Sequence, residues 1–203
     1  MMGRCRRSLY TDIPRRNYTR PDPRDTGYKQ PHNQGGFMPT YMCYVHEGQV
    51  TAEQKSQIAA GIAQIHSRFT GAPVSFCQCV FRDLKSDDHF IGLQPAPHNG
   101  VFVYGHIRAE RPGAAKNHIL MGIRDLLTRL LSVPESVVWV YLNDLARTDM
   151  VEFGHVLPEP GGEQAWLDEL PADLREELAR RGGGDESPGV NAVPPASDVK
   201  NEK

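Results

Sequence analysis

The sequence has no apolar run near the roughly 20 residues that a membrane-spanning helix requires, so no such helix is expected. It also lacks an excess of either charge. The 203 residues carry a formal net charge of -2, which gives no electrostatic reason for a nucleic acid or an acidic membrane as partner. Cysteine is scarce, at four residues. Cys77 and Cys79 stand two apart in a strand-like run and so share a face, but no second pair supplies the remaining ligands of a zinc site. They read as small buried thiols, and no metal is expected. The opening has no apolar signal-peptide core, and its arginines are interleaved with Asp12, Asp22, Asp25 and several prolines, which does not suit a transit peptide. A cytoplasmic protein is the expectation.

What is present falls into three parts. Residues 1–38 have many prolines and no apolar periodicity, and predict a disordered leader. Residues 39–181 read as one domain, long enough to bury a real core. Over residues 182–203 Gly, Pro and Ser return and predict a disordered tail.

Within the domain a strand is predicted from Thr40 to His46. Thr51-Ala52-Glu53-Gln54 then has the form of a capping box. Ile58, Ile62, Ile65 and Phe69 follow on one helical face, and Gly71 ends the helix. His66 lies about 80° from Ile58 at 100° per residue, on the shoulder of the buried face. Ser75 to Phe81 reads as a second strand, and residues 87–99 as a short edge strand or hairpin. At Val101 the plan begins again: a strand over Val101 to Ile107, a helix opened by Pro112 and Gly113 that buries Ile119, Leu120, Ile123, Leu126, Leu127 and Leu130, and a strand over Val137 to Leu142. Two strand-helix-strand units thus recur at a period of about sixty residues. Each crossover is long enough for a parallel strand pair. The expected fold is therefore α/β, one mixed four-stranded sheet with two helices on one face. The strands are apolar on both sides, so the other face should meet another subunit. A short hairpin or strand over Met150 to Leu157, ending at Pro158, and two short helices with Trp166, Leu167, Leu170, Leu174 and Leu178 as their apolar face complete the domain.

The polar residues are individually ordinary. Arg108 and Arg111, spaced by three between a strand and a helix, suit a bidentate grip on a carboxylate, yet solvated surface arginines are commoner. Glu152 reads as a surface carboxylate, Tyr141 as a half-buried strand residue and His66 as a satisfied helix histidine. Met38-Pro39 stands where the leader stops and the domain starts. Inside a chain Pro39 has no proton to give and merely opens a strand. At a free terminus it would be a secondary amine able to act as acid or base near neutral pH.

Taken together, these residues resemble the tautomerase superfamily, most closely its cis-3-chloroacrylic acid dehalogenase branch. The match is carried by Pro39-Thr40-Tyr41-Met42-Cys43-Tyr44-Val45, by Ile65-His66 with Thr70-Gly71, and by the segment from Phe102 to Arg111. Trp139-Val140-Tyr141, Met150-Val151-Glu152-Phe153-Gly154 and Leu157-Pro158 complete it. The resemblance implies a fold of two fused β-α-β units packed as a homotrimer, working without a cofactor. It also implies roles: Pro39, as an N-terminal amine after a mis-assigned start or processing at Met38, would move a proton at a substrate carbon. Arg108 and Arg111 would bind the substrate carboxylate, Tyr141 and Glu152 would position and deprotonate a water, and His66 would hydrogen-bond the carboxylate or a developing enolate oxygen.

The expected activity is hydration, dehalogenation or tautomerisation of a small unsaturated or 2-oxo carboxylic acid. Two alternatives stay open: decarboxylation of a β-oxo acid by the same parts, and a non-catalytic binding protein on the same scaffold.

Overall fold

The computed structural model describes residues 39–109, 111–159 and 162–182. The expected leader and all but the first residue of the expected tail lie outside the described residues. β1 (Thr40–His46) leads into α1 (Ala52–Thr70), and β2 (Gln78–Leu84) returns parallel to β1. A small hairpin, β3 (Phe90–Ile91) and β4 (Gln94–Pro95), separates this unit from the second. There β5 (Val101–Arg108), α2 (Gly113–Leu131) and β6 (Val138–Leu145) repeat the plan, β6 running parallel to β5. The units join through an antiparallel β1–β5 pair, giving the sheet order β2-β1-β5-β6. The mixed four-stranded sheet expected from the repeat is the observed one.

Local chemistry explains the boundaries. Thr51 caps α1 by accepting from the Gln54 amide at 3.2 Å, and the Gln54 side chain accepts in return from the Thr51 amide at 3.0 Å. Each bond satisfies an amide that the first helical turn leaves without a partner. Gly71 ends the helix in the left-handed conformation, φ 75°, where a side chain would be strained. β2 begins three residues later than the expected strand. Pro73 starts a single 3-10 turn over Val74–Phe76, in which the Phe76 amide donates to the Pro73 carbonyl at 3.1 Å, and this holds the chain out of the sheet until Gln78.

Both helices lie on one sheet face and bury Ile58, Ile62, Ile119, Ile123 and Leu127 completely against Tyr41, Cys43, Val45, Val101, Val103 and Ile107. Each such aliphatic side chain contributes roughly 1.5–3 kcal/mol. Reciprocal packing holds the helices together. Leu126 of α2 fills the place of a side chain at Gly61 of α1, and Ile65 of α1 does the same at Gly122 of α2. Both pairs of equivalent positions, 61 to 122 and 65 to 126, differ by 61, so the repeat read from hydrophobic pattern is also a repeat of contacts.

The opposite sheet face carries aromatic rings. Tyr44 stacks on Phe102 at 5.6 Å, Tyr141 meets Phe102 edge-on at 5.2 Å, and Trp139 and Tyr141 remain 42% and 49% exposed. A second, smaller core gathers Phe76 of the 3-10 turn, Leu157, Trp166 of α3 (Glu163–Glu169), Leu170 just after it and Leu178 of α4 (Ala172–Arg181). The hairpin β7 (Val151–Glu152) and β8 (His155–Val156) packs onto it through Phe153. Among the described residues no helix is long and apolar enough to cross a membrane.

Candidate active site

Four of the expected site residues gather at the end of the sheet where β1 begins. Pro39 is buried there, and its carbonyl accepts from the Gln78 amide at 2.9 Å. Thr40 pairs with His106 in the antiparallel ladder, so one step outward Pro39 stands beside Ile107 and next to Arg108, the last residue of β5. Arg108 is only 9% exposed. A cation so little exposed must be offset by hydrogen-bond acceptors or opposite charge.

The C-terminal end of α1 arrives at the same place. Arg111, in the connection after β5, donates from Nη1 to the Thr70 carbonyl at 3.1 Å, and the Thr70 hydroxyl donates to the His66 carbonyl at 2.8 Å. The cation thus sits at the negative end of a helix, where the aligned peptide dipoles stabilise it. His66 is itself buried, and its Nδ1 lies 2.9 Å from the hydroxyl of Tyr41, a residue with no exposed surface. Burial, and secondarily the charge of Arg111, lower the His66 pKa to about 3. Burial is also the main reason that the Tyr41 hydroxyl titrates well above its ordinary value; Arg111 opposes that rise. At neutral pH both groups are uncharged.

Glu152 arrives from another direction. The β7–β8 hairpin turns on Phe153 and Gly154, with φ of 51° and 86°. A positive φ is unusual for a bulky residue and stores strain of order 1–3 kcal/mol, which the surroundings must hold. Phe153 is held by Phe76 and Trp166, at ring distances of 6.3 and 6.5 Å. Phe76 lies two residues before Gln78, which opens β2 and bonds the Pro39 carbonyl. The second core therefore anchors the hairpin that carries the half-buried Glu152 to the segment leading into β2.

Tyr141 is not brought to this end. It pairs with Tyr104 in the middle of β6, two strands from β1, on the aromatic face and not in the core. From Pro39 it is three residues along the strands and two strands across, roughly 14 Å from strand spacings of about 3.3 and 4.8 Å. Within one chain the two backbones stay that far apart, with the Tyr141 ring against Phe102 on the aromatic face and Pro39 buried. Tyr41 is the converse case, since the sequence placed it only as an alternating strand residue. Its contact with His66 depends on how α1 lies over β1, and no local pattern reports that. No group of three or more His, Cys, Asp or Glu among the described residues is placed to hold a metal ion.

Residues 38–169 match the family Tautomerase_3, described as "Putative oxalocrotonate tautomerase enzyme". Among solved structures the chain is similar to N1, a member of the cis-3-chloroacrylic acid dehalogenase family, with 31% identity and a TM-score of 0.66 over 70% of this chain and 99% of that one. It is also similar to a probable enzyme from the thermophilic fungus Aspergillus fumigatus, with 25% identity and a TM-score of 0.54 over 67% and 97% of the two chains. A fused 4-OT described as an asymmetric trimer shares the fold at 20% identity, with a TM-score of 0.55 over 63% and 98%. No curated protein matches.

Proposed function

The chain belongs to the tautomerase superfamily, in its cis-3-chloroacrylic acid dehalogenase-like branch, and from that premise we propose that it is a cofactor-free enzyme acting on a small unsaturated or 2-oxo carboxylic acid. The observation that carries this reading is the convergence of Pro39, Arg108, Arg111 and neutral His66 on one buried end of the sheet.

The chemistry proceeds from these groups. Arg108 and Arg111 bind the carboxylate, and two fixed cations in a poorly hydrated site also stabilise it as it takes on enediolate character. His66 donates a hydrogen bond to the same oxygens. Glu152 takes a proton from water as the water adds to the β-carbon, while Pro39, as a protonated N-terminal amine, gives a proton to the α-carbon. The two cations lower the prolyl pKa by like-charge repulsion, which keeps it a usable acid near neutral pH. With a β-halogen on the substrate, the adduct is a halohydrin, which loses halide and its hydroxyl proton to solvent and leaves a carbonyl.

This reading requires the leader to be absent from the working protein, because an amide nitrogen at Pro39 cannot titrate. It also requires a second copy of the chain to supply Tyr141. The aromatic sheet face offers the surface for that association, and a homotrimer in the cytoplasm fits it.

The test compares protein that starts at Pro39 with protein that retains residues 1–38, using cis-3-chloroacrylate and propiolate as probes. Turnover is expected only with the free proline. Equal turnover by both forms removes the prolyl acid, and carbon dioxide as the first product points to decarboxylation. Arg108→Ala should raise KM and lower kcat, and an unchanged kcat/KM would remove the carboxylate clamp.

A further inference from the structure

We propose that Tyr41 is a positioning residue for His66: its buried hydroxyl donates to Nδ1 and holds the imidazole as the Nε2–H tautomer, so that one fixed N–H faces the substrate oxygen. The inference deepens the function proposed above. Its structural half is a property of the protein without ligand.

Tyr41 has no exposed surface, and among the described residues His66 Nδ1, at 2.9 Å, is its hydroxyl's one hydrogen-bond partner. A hydroxyl has one proton and a neutral imidazole has one N–H. If Nδ1 carried that proton it would donate to the tyrosine oxygen, and the tyrosine proton would be left buried with no acceptor. Buried donors are rarely left so, because the unmet group keeps its full desolvation penalty. The opposite arrangement satisfies both groups: Tyr41 donates, Nδ1 accepts, and Nε2 keeps the ring proton. A doubly protonated ring would recreate the orphaned hydroxyl and add an unscreened charge.

The surroundings hold this arrangement. The charged or titratable groups acting on the pair are Arg111 from the β5–α2 connection, Cys43 on β1, and Cys77 and Cys79 at the head of β2. The arginine opposes a positive imidazole, and the thiols are buried or half-buried. Beneath the Tyr41 ring lies its cross-strand partner Gly105, with ring carbons so close that a Cβ there would stand 2.6 Å from Tyr41 Cε1. The ring therefore lies flush on the β5 backbone and cannot retreat in that direction. His66 meets it at an interplanar angle of 73°. A single tautomer matters because a ring that presents a bare lone pair to an oxyanion repels it, whereas an N–H stabilises it; orientation of a catalytic histidine through its second nitrogen is a general device.

The test uses the full domain starting at Pro39. Histidine ring nitrogens are observed by long-range proton–nitrogen NMR in the wild type and in Tyr41→Phe, which keeps the ring over Gly105 and removes only the hydroxyl. The wild type should show His66 with protonated Nε2 and bare Nδ1. In Tyr41→Phe the two tautomers should exchange, and kcat/KM for propiolate should fall about tenfold, most of it in kcat. A wild-type spectrum with the proton on Nδ1 overturns the proposal even if the variant does not fold. So does a folded variant with an unchanged tautomer, or with an unchanged kcat/KM in an active enzyme. If the wild type turns over none of the probes, the catalytic reading falls while the spectrum still decides the tautomer.

Discussion

Replacing Gly105 by alanine tests the joint between fold and site. The new methyl carbon would stand 2.6 Å from Tyr41 Cε1 and 2.8 Å from both Tyr41 Cδ1 and Leu142 Cδ2. Carbon atoms prefer separations of about 3.5–4.0 Å, so the Tyr41 ring must move by roughly 1 Å. It is fully buried between β5 and α1, and Leu142 closes the other side. Overpacking of this kind costs about 1–3 kcal/mol, offset by about 0.5–1 kcal/mol from the reduced freedom of the unfolded chain. The expected net loss is roughly 1–2 kcal/mol, or a Tm lower by about 3–8 °C for a domain of this size. The same shift moves the Tyr41 hydroxyl out of the position that gives its 2.9 Å contact with His66 Nδ1, and a hydrogen bond weakens steeply away from its preferred distance and angle, so the His66 ring should also lose its single tautomer. Urea unfolding and thermal melts at one fixed protein concentration, with histidine NMR on the same sample, measure both effects. Gly113→Ala is the control, because nothing lies within 4 Å of its Cβ position, and it should leave stability level or slightly raised. A Gly105→Ala protein as stable as its parent, with an unaltered His66 spectrum, would refute the argument that this glycine seats the tyrosine.

Three further predictions follow from individual contacts. Thr51→Ala removes the side chain that caps α1 and should cost about 1 kcal/mol, visible as a lower urea midpoint at unchanged slope; no shift would show that the cap is idle. Arg111→Ala removes a cation that lowers the His66 pKa, so NMR titration should find that pKa raised but still below its ordinary value, since burial is the larger cause. Acid should destabilise the domain through histidine. His66 is held at about 3, and His46, stacked against His89 and His98, is also lowered by burial and then by those neighbours. The unfolded chain thus binds protons that the fold refuses. The associated stability is present in full above about pH 6.5 and is lost as pH falls toward 3, at most about 5 kcal/mol for His66. Unfolding free energies at pH 7.5, 6 and 5 that do not decline, or that decline equally in His66→Gln, would contradict this.

Features that depend on neighbours along the chain are legible in the sequence. Alternation in Thr40 to His46 and the 3.6-residue spacing of Ile58, Ile62 and Ile119, Ile123 specify which face of each element is buried, and the capping box and Gly71 bound α1. The sixty-residue recurrence of these patterns led to the two-unit sheet. A strand boundary was already harder, because the turn after Pro73 delays β2 to Gln78 in a stretch whose composition is strand-like throughout.

Tertiary structure alone decided which polar residues share a space. Pro39 and Arg108 are far apart in sequence, and they meet because the units join through antiparallel β1 and β5, which sets the start of one strand beside the end of the other. Tyr141 lies in an equally strand-like run, yet its register opposite Tyr104 puts it on the aromatic face, away from Pro39. The Tyr41–His66 pair exists because α1 crosses over the start of β1 and Gly105 leaves room for the ring. Hydrophobic periodicity says which side of an element is buried, because water acts on each side chain in much the same way. It carries no information on which buried polar groups meet, because that is set by strand register and helix placement summed over the whole chain.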